Sequence, residues 1–236
     1  LGKGLGALML ENSVDEMVAT NTLPLNEIMP NKEQPRKTFD EGALQELADS
    51  IVQHGVLQPL LVRPLASGGY QLVAGERRWR ASRMAGLKEV PVVVKELSDV
   101  ETMEIAIIEN LQREDLNPIE EAEGLQALID RCGFTQEEVA TSVGKSRPAI
   151  ANALRLLKLP PEVREMTKAG EISAGHARAL LAFDSEAAIY EVAQNIVKNN
   201  LTVRDVERLA KTSDKASVSA QRKNKRRDSF YDEVEL

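Results

Sequence analysis

The stretch Gly75-Glu76-Arg77-Arg78-Trp79-Arg80-Ala81 decides how the first half of this chain folds. Residues 70–74 before it predict a short strand, and residues 76–85 predict a helix. A glycine at such a junction lets a ligand approach the backbone, and the unpaired N–H groups of a helix start attract anions. Arg77 and Arg78 add planar donors that suit phosphate oxygens. The stretch is therefore either a phosphate-binding site or a solvated basic first turn.

A compact α/β unit is predicted around this junction. Apolar spacing predicts a helix over 41–54 with Asp40 as its N-cap. Strands are predicted over 60–62 and 91–94, and the former is joined to residues 70–74 by a turn at Ser67-Gly68-Gly69. Three prolines, Pro24, Pro30 and Pro35, predict an extended entry to the unit.

The chain after Asp99 predicts helices and no strand. The predicted helices span 100–114, 119–131, 135–143, 146–157, 161–169, 174–182, 185–198 and 203–211. We therefore expect the chain to divide as follows: a flexible tail over 1–20, an α/β domain over 21–98, a helical domain over 99–211, and a linker with the start of another helix over 212–236.

Composition excludes several classes of protein. Aromatic residues make up 3% of the 236 residues, too few for a broad platform that stacks single-stranded bases. Cys132 is the only cysteine, which excludes an internal disulfide and a multi-cysteine zinc site. The single cysteine leads us to expect a reducing cytoplasm. No membrane span or signal peptide is visible.

The charge is segregated along the chain, although the net charge is −7. Residues 76–88 hold five basic and one acidic side chain, and residues 131–181 hold eight basic and five acidic ones. These two segments are suited to face polyanions.

A helix-turn-helix pattern lies within the second basic segment. Thr135 and Glu138 form a capping box, Ala140 is small, Gly144 provides a turn, and Ser146 caps a second helix. Either this pair of helices reads DNA in the major groove, or it is an ordinary helical hairpin. The candidate DNA-binding residues here are Lys145, Ser146, Arg147, Asn152 and Arg155.

A further helix opens at Gly175-His176-Ala177-Arg178. His176 and Arg178 are candidates for contact with DNA. The alternative for His176 is a packed or capping histidine.

The end of the helix predicted over 100–114 carries oxygen ligands. Glu109 and Asn110 suit Mg²⁺, which binds through one or two protein groups together with substrate phosphates. Arg113 would then neutralise phosphate charge, or it would simply pair with Glu109 one helical turn away. Gln58 lies in a separate loop, where its amide suits a base edge. No P-loop motif is present, which excludes a P-loop NTPase.

Taken together, these motifs resemble the chromosomal ParB family, in family order from residue 1 to residue 236. The motifs that carry the resemblance are Gly55-Val56-Leu57-Gln58-Pro59-Leu60, the stretch at 75–81, Glu109-Asn110-Leu111-Gln112-Arg113 with its continuation to Glu120, and Gly144-Lys145-Ser146-Arg147. The resemblance implies an α+β protein, with a small ParB/sulfiredoxin-like α/β domain followed by an all-α helix-turn-helix domain.

The resemblance also implies a function. Such a protein binds parS centromere DNA, binds CTP with Mg²⁺ and hydrolyses it slowly, and forms a homodimeric sliding clamp. The implied CTP-binding residues are Gly55, Gln58, Pro59, Gly75, Glu76, Arg77, Arg78, Asn110 and Arg113, and the implied metal ligands are Glu109 and Asn110, with Glu109 also catalytic.

Further partners follow from the same resemblance. The tail beginning Leu1-Gly2-Lys3-Gly4-Leu5 would engage and stimulate the ParA ATPase, and SMC condensin is a further candidate. Residues 212–236 would open a C-terminal dimerisation domain, and the protein would be nucleoid-associated and free of membrane.

Three rival hypotheses stay open. Sulfiredoxin shares the fold but needs a cysteine where this chain has Glu76. A plain helix-turn-helix repressor would not bind CTP. A nucleoid-occlusion relative would need an amphipathic N-terminal membrane helix, which the glycine-rich start does not suit.

Overall fold

The computed structural model describes residues 21–31, 41–113 and 116–212. These residues form two compact units. Among the described residues, the N-terminal unit contains 21–31, 41–113 and 127–145, and the C-terminal unit contains 116–126 and 146–212. The tail predicted over 1–20, the Asp40 cap, Pro35 and all but the first residue of the segment predicted over 212–236 lie outside the described residues.

A five-stranded sheet forms the base of the N-terminal unit. Its strands are β1 (Asn21–Pro24), β2 (Ile28–Met29), β3 (Leu60–Pro64), β4 (Tyr70–Ala74) and β5 (Glu89–Val94), in the order β1-β5-β3-β4-β2. The β1/β5 and β3/β4 pairs are antiparallel, whereas the β3/β5 and β2/β4 pairs are parallel. The hairpin predicted around residues 67–69 is confirmed, since β3 and β4 flank that turn.

The two outer strands were not predicted. The prolines at Pro24 and Pro30 indicated only an extended entry, and β1 and β2 are four and two residues long. Proline is tolerated on an edge strand because its missing N–H need not serve a ladder. Strands this short are defined by pairing with β5 and β4, which a local pattern does not reveal.

Three helices complete the N-terminal part of this unit: α1 (Glu41–His54), α2 (Glu76–Met84) and α3 (Asp99–Leu111). Helices α1 and α2 pack together through Leu44, Ala48, Ile51 and Ala81. Trp79 of α2 also joins the sheet core, whose fully buried members include Leu60, Val62, Leu72, Val90 and Val92. The helix predicted over 100–114 ends earlier, at Leu111, because Gln112 leaves the helical conformation.

The rest of the described chain is helical, as predicted. The helices are α4 (Pro118–Cys132), α5 (Gln136–Ser142), α6 (Arg147–Arg155), α7 (Pro161–Lys168), α8 (Ala174–Leu180), α9 (Glu186–Asn199) and α10 (203–212). Within the C-terminal unit, the core contains Ile119, Leu156, Val163, Ile172, Ala177, Leu180, Ala193 and Val206. None of the helices in the described part of the chain has the length and apolar character that crossing a membrane requires.

Candidate nucleotide and DNA sites

The junction between β4 and α2 is built on the backbone of Gly75. Gly75 has φ +97° and ψ +31°, a left-handed conformation that other residues adopt only with strain. The first intrahelical bond runs from the Trp79 N–H to the Gly75 carbonyl, at 3.0 Å. The N–H groups of residues 76–78 therefore have no acceptor within α2, and they form the kind of helix start that attracts an anion.

Arg78 fastens this junction to the loop between α1 and β3. Its Nη1 donates to the carbonyl oxygens of Gln58 at 2.7 Å and Pro59 at 2.5 Å. Its guanidinium also packs closely against Gly75. A Cβ placed on Gly75 would lie 3.1 Å from the Arg78 Cζ and Nη2. Arg78 thus brings together two of the predicted site segments, residues 55–59 and 75–78.

The neighbouring charged residues of α2 have different surroundings. Glu76 Oε1 accepts from Nε and Nη2 of Arg80, at 2.9 and 2.8 Å, while its buried Oε2 has no hydrogen-bond partner among the described residues. Arg77 is exposed. The Glu76 carboxylate pairs with Arg80, so Glu76 offers an anion its backbone N–H, and Arg77 offers an exposed guanidinium.

The end of α3 lies close enough to Arg78 to affect its ionisation. Burial lowers the pKa of Arg78, and the negative charge of Glu109 opposes that shift. Glu109 is exposed, and Asn110 Oδ1 accepts from Nη1 of Arg113 at 3.3 Å. The fold therefore places the Glu109 carboxylate within electrostatic reach of Arg78, and the Asn110 amide follows it in the chain at the end of α3.

These oxygens fit Mg²⁺ by their chemistry. Mg²⁺ prefers oxygen ligands and usually keeps one or two protein groups beside phosphate oxygens and water. Glu109 and Asn110 supply that number. Within residues 21–31, 41–113 and 116–212, no group of three or more His, Cys, Asp or Glu side chains is placed to hold a metal.

The loop that would read a base begins where α1 ends. Gly55 has φ +71°, and its N–H donates to the Ile51 carbonyl at 2.8 Å, which closes the helix. The Leu57 and Gln58 side chains are exposed, and Leu57 is 86% exposed. The exposure of the Gln58 side chain suits a role at a base edge, while Arg78 holds the Gln58 main-chain carbonyl.

Helix α5 begins and ends with the local signals that the sequence contains. Thr135 and Glu138 form the predicted capping box, with the Thr135 N–H donating to Glu138 Oε2 at 2.8 Å. At the other end, Gly144 has φ +68° and the Lys145 N–H donates to the Ala140 carbonyl at 2.9 Å. This six-to-one bond is the Schellman arrangement, which ends a helix in a tight turn.

Helix α6 and its capping residue Ser146 contain four of the seven predicted DNA-binding residues. Ser146 caps it, with Oγ accepting from the Ala149 N–H at 3.4 Å. Ile150 is fully buried and anchors the helix, while Arg147 and Arg155 are exposed and Asn152 is partly buried. The exposed positions leave both arginines accessible to a duplex.

The structure gives His176 the capping role that was its alternative. His176 Nδ1 lies 3.0 Å from Ser173 Oγ, and Ser173 Oγ accepts from the His176 N–H at 3.3 Å. The other ring nitrogen, Nε2, is buried without a partner among the described residues. Arg178 is exposed, and its Nε donates to the Ala174 carbonyl at 3.2 Å. Contact of either residue with DNA stays a prediction.

One polar network of the N-terminal unit, at the start of α3, was not predicted. Arg63 of β3 donates to Gln71 Oε1 at 2.7 Å, to the Leu97 carbonyl at 3.1 Å and to Asp99 Oδ1 at 2.5 Å. The hairpin register does pair Arg63 with Gln71. The predicted hairpin was the one sequence feature that could have indicated the pairing of Arg63 with Gln71. The contacts to residues 97 and 99 depend on tertiary structure.

The fold and its two candidate sites define a class of protein in which an α/β unit, with a candidate anion site at a helix start, precedes a helix-turn-helix region. Comparison with known proteins gives the family. The ParB N-terminal domain matches residues 9–111, and the ParB HTH domain matches residues 114–215. Together with the relatives described next, these matches show that the chain belongs to the ParB family of chromosome-partitioning proteins.

Two relatives and one crystal structure illustrate the similarity. The chromosome-partitioning protein Spo0J of Thermus thermophilus is 56% identical over 209 residues, which is 89% of this chain and 75% of that protein. The stage 0 sporulation protein J of Bacillus subtilis is 47% identical over 210 residues, 89% of this chain and 73% of that protein.

The crystal structure is that of the C-terminally truncated ParB of Caulobacter crescentus complexed to the centromeric parS site. It superposes with a TM-score of 0.71 at 46% identity, covering 81% of this chain and 99% of that chain.

Proposed function

We propose that this protein binds a parS centromere site through its helix-turn-helix and binds CTP with Mg²⁺ in its N-terminal unit. CTP binding and slow hydrolysis then switch a homodimeric sliding clamp on DNA. The nucleotide part rests on the surroundings of Arg78, where three predicted site segments meet. Arg78 donates to the Gln58 and Pro59 carbonyls, lies close to Gly75, and its pKa is affected by the charge of Glu109. The choice of CTP rests on the family resemblance.

Each segment of the candidate site has a distinct task. The N–H groups of residues 76–78 and the Arg77 guanidinium bind the triphosphate. Arg78 holds the loop so that Gly55, Gln58 and Pro59 lie against cytosine and ribose, and its remaining donors face phosphate. Arg113 adds positive charge from the end of α3.

Glu109 and Asn110 would hold the Mg²⁺. Bound there, the metal would neutralise phosphate charge and favour attack on the terminal phosphate. In the protein alone, Asn110 Oδ1 is held by Arg113. That contact orients the amide oxygen before nucleotide arrives, while the exposed Glu109 carboxylate provides the second ligand.

The DNA part of the proposal rests on α6. Arg147 is exposed in its first turn, where a guanidinium reaches a guanine edge, and Asn152 suits an adenine edge. Ser146, Lys145 and Arg155 supply phosphate contacts, with Arg178 and His176 as further candidates. The Caulobacter relative, 46% identical, is complexed to parS.

The remaining parts of the proposal concern partners and boundaries. The segment 1–20 stimulates ParA, SMC condensin is a second partner, and residues 212–236 lead into a dimerisation domain. The nucleotide domain extends over 21–98 and the parS-binding domain over 99–211. Such a protein acts at the nucleoid, in the cytoplasm.

Calorimetry tests the nucleotide and DNA parts together. The chain is titrated with CTP, ATP, GTP and UTP in Mg²⁺, with and without a parS duplex or a scrambled one. We expect CTP alone to bind with measurable affinity, and parS to stimulate phosphate release. A chain that binds parS but no nucleotide would be a plain DNA-binding protein, and the nucleotide proposal would be wrong.

A variant separates readout of bases from attraction to phosphate. Arg147→Ala is expected to cost about 1–3 kcal/mol in parS affinity and to reduce discrimination against scrambled DNA, because one guanidinium-to-base contact is lost. Basal CTP binding should not change. Lys198→Ala, an exposed lysine of α9, is the matched control for loss of one positive charge. Unchanged discrimination in Arg147→Ala would move base readout to another helix.

A further inference from the structure

We propose that Arg63 is a positioning residue for the metal-binding end of α3. Arg63, Gln71, Leu97 and Asp99 form a polar latch, which fixes the start of α3 against the sheet and thereby places Glu109 and Asn110 at the nucleotide. This inference rests on the proposed function and adds a residue outside every segment assigned to the site.

The latch uses all three guanidinium nitrogens of Arg63, and each reaches a different segment. Nε donates to Gln71 on β4, Nη1 to the Leu97 carbonyl in the connection after β5, and Nη2 to Asp99 in the first turn of α3. The fixed fork of a guanidinium makes such a three-way contact, which a lysine ammonium does not reproduce.

Because the Arg63 side chain is mostly buried, its position relative to the sheet is well defined. The Arg63 side chain is only 14% exposed, whereas Asp99 is 90% exposed. An exposed carboxylate gains little stability from an ion pair, about 0–1 kcal/mol. The value of the contact is therefore geometric: a guanidinium held by the sheet defines where the first turn of α3 begins.

Other local bonds make the connection between sheet and helix short and stiff. The Lys95 N–H donates to the Val62 carbonyl at 2.9 Å, which extends the contact with β3 one residue beyond the end of β5. Ser98 and Glu101 form a capping box, with the Ser98 N–H donating to Glu101 Oε2 at 2.8 Å. Arg63 sits between these two anchors and joins them to the same strand.

The length of α3 turns a small tilt at the latch into a displacement at the metal ligands. Asp99 and Glu109 are ten residues apart, about 15 Å along the helix axis at 1.5 Å per residue, so a tilt of about 5° moves Glu109 by about 1.3 Å. A misplacement of about 1 Å costs up to about 100-fold where geometry is exacting. Loss of the latch should therefore affect Mg²⁺-dependent steps.

The start of α2 does not depend on the latch. Its free N–H groups follow from the backbone of Gly75, and the Arg78 contacts run to residues 58 and 59. A latch variant should therefore keep its metal-independent affinity for CTP and lose the increment that Mg²⁺ provides. A general loss of stability would lower both.

Calorimetry of CTP binding in EDTA and in Mg²⁺ separates these outcomes. For Arg63→Met, which keeps the aliphatic stem, we expect the Mg²⁺-dependent increment in affinity to fall by about 10-fold or more, as for residues that orient metal ligands. Affinity in EDTA and affinity for parS should stay at the wild-type level. Arg63→Lys should recover part of the increment, and an unchanged increment in Arg63→Met would overturn the latch.

A second variant keeps the test valid if Arg63→Met fails to fold. Asp99→Ala removes one latch contact at an exposed position, and Glu96→Ala, an exposed acid in the same connection, is its control. Asp99→Ala should reduce the Mg²⁺ increment and speed amide exchange in the first turns of α3, whereas Glu96→Ala should change neither. Equal behaviour of the two variants would refute the latch.

The wild-type measurements distinguish the latch from the proposed function. Wild-type protein that binds no CTP in either buffer would refute the nucleotide proposal, and the latch would fall with it. Wild-type protein with a clear Mg²⁺ increment that all latch variants retain would refute the latch alone.

Discussion

Replacing Gly75 by alanine tests whether the junction before α2 is the anion-binding element of this protein. The substitution adds one methyl group at a residue with φ +97°. That Cβ would lie 3.0 Å from Leu60 Cδ2 and 3.1 Å from the Arg78 Cζ and Nη2. Leu60 is fully buried, so it has little room to move, and Arg78 must shift instead.

The expected loss of folding stability in Gly75→Ala has two parts. Left-handed backbone strain for a non-glycine residue is about 1–3 kcal/mol. Displacing Arg78 disturbs two charged hydrogen bonds to the Gln58 and Pro59 carbonyls, and one such bond contributes about 1.5–3 kcal/mol. With the strain and the loss of one of these two bonds, we expect Gly75→Ala to lower the free energy of unfolding by about 2.5–6 kcal/mol.

Gly68→Ala is the matched control. Gly68 has φ +90°, close to that of Gly75, but a Cβ there would meet no atom within 4 Å. Gly68→Ala should lose only the stability that backbone strain costs. The difference in stability between the two variants therefore measures the effect of the contact with Arg78. Thermal melts and CTP calorimetry measure both effects, with a shift of about 2–4 °C per kcal/mol for a chain of this size. Equal melting temperatures for the two variants, together with wild-type CTP affinity in Gly75→Ala, would refute the reasoning.

Three further substitutions separate phosphate binding, metal binding and stability. Arg77→Ala should melt at the wild-type temperature because Arg77 is exposed, but its CTP affinity should fall about 10- to 100-fold. Normal CTP affinity by calorimetry would exclude Arg77 from the site. Glu109→Gln should keep CTP binding in EDTA and slow Mg²⁺-dependent phosphate release, and an unchanged rate would exclude Glu109 as a ligand. Burial, and secondarily the charge of Glu101, raise the pKa of Glu104. The folded protein then holds a proton that the unfolded chain releases, so stability falls as pH rises from the ordinary value of 4.5 through the raised pKa. Glu104→Gln should therefore raise the melting temperature at neutral pH and leave it unchanged well below pH 4.5; equal melting of the two proteins at neutral pH would contradict this.

Much of the helical architecture could be predicted because its signals are local. The capping box at Thr135 and Glu138 and the serine cap at Ser146 act within three residues of the helix starts they define. A glycine that ends a helix acts over a similar distance, as Gly144 does. Short-range hydrogen bonds of this kind depend on sequence spacing alone, so they are visible before any tertiary structure is known.

The parts that were missed depend on partners far away in the chain. Strand β1 exists because it pairs with β5, about 70 residues later, and β2 because it pairs with β4. Arg63 reaches Leu97 and Asp99, which are 34 and 36 residues away. No local period or cap encodes such contacts, and an arginine in a strand is read from sequence as an ordinary exposed position.

Arg78 illustrates why residue type alone did not define its role. The sequence predicts a phosphate ligand, because an arginine at a helix start has suitable donors. The fold uses one of its nitrogens to hold two carbonyls, 19 and 20 residues earlier in the chain, and lets its planar group cross Gly75. A single arginine therefore positions the loop of the candidate nucleotide site and would also supply positive charge to that site. The close approach of Arg78 is therefore a reason for glycine at position 75 that is additional to its predicted place in the nucleotide site.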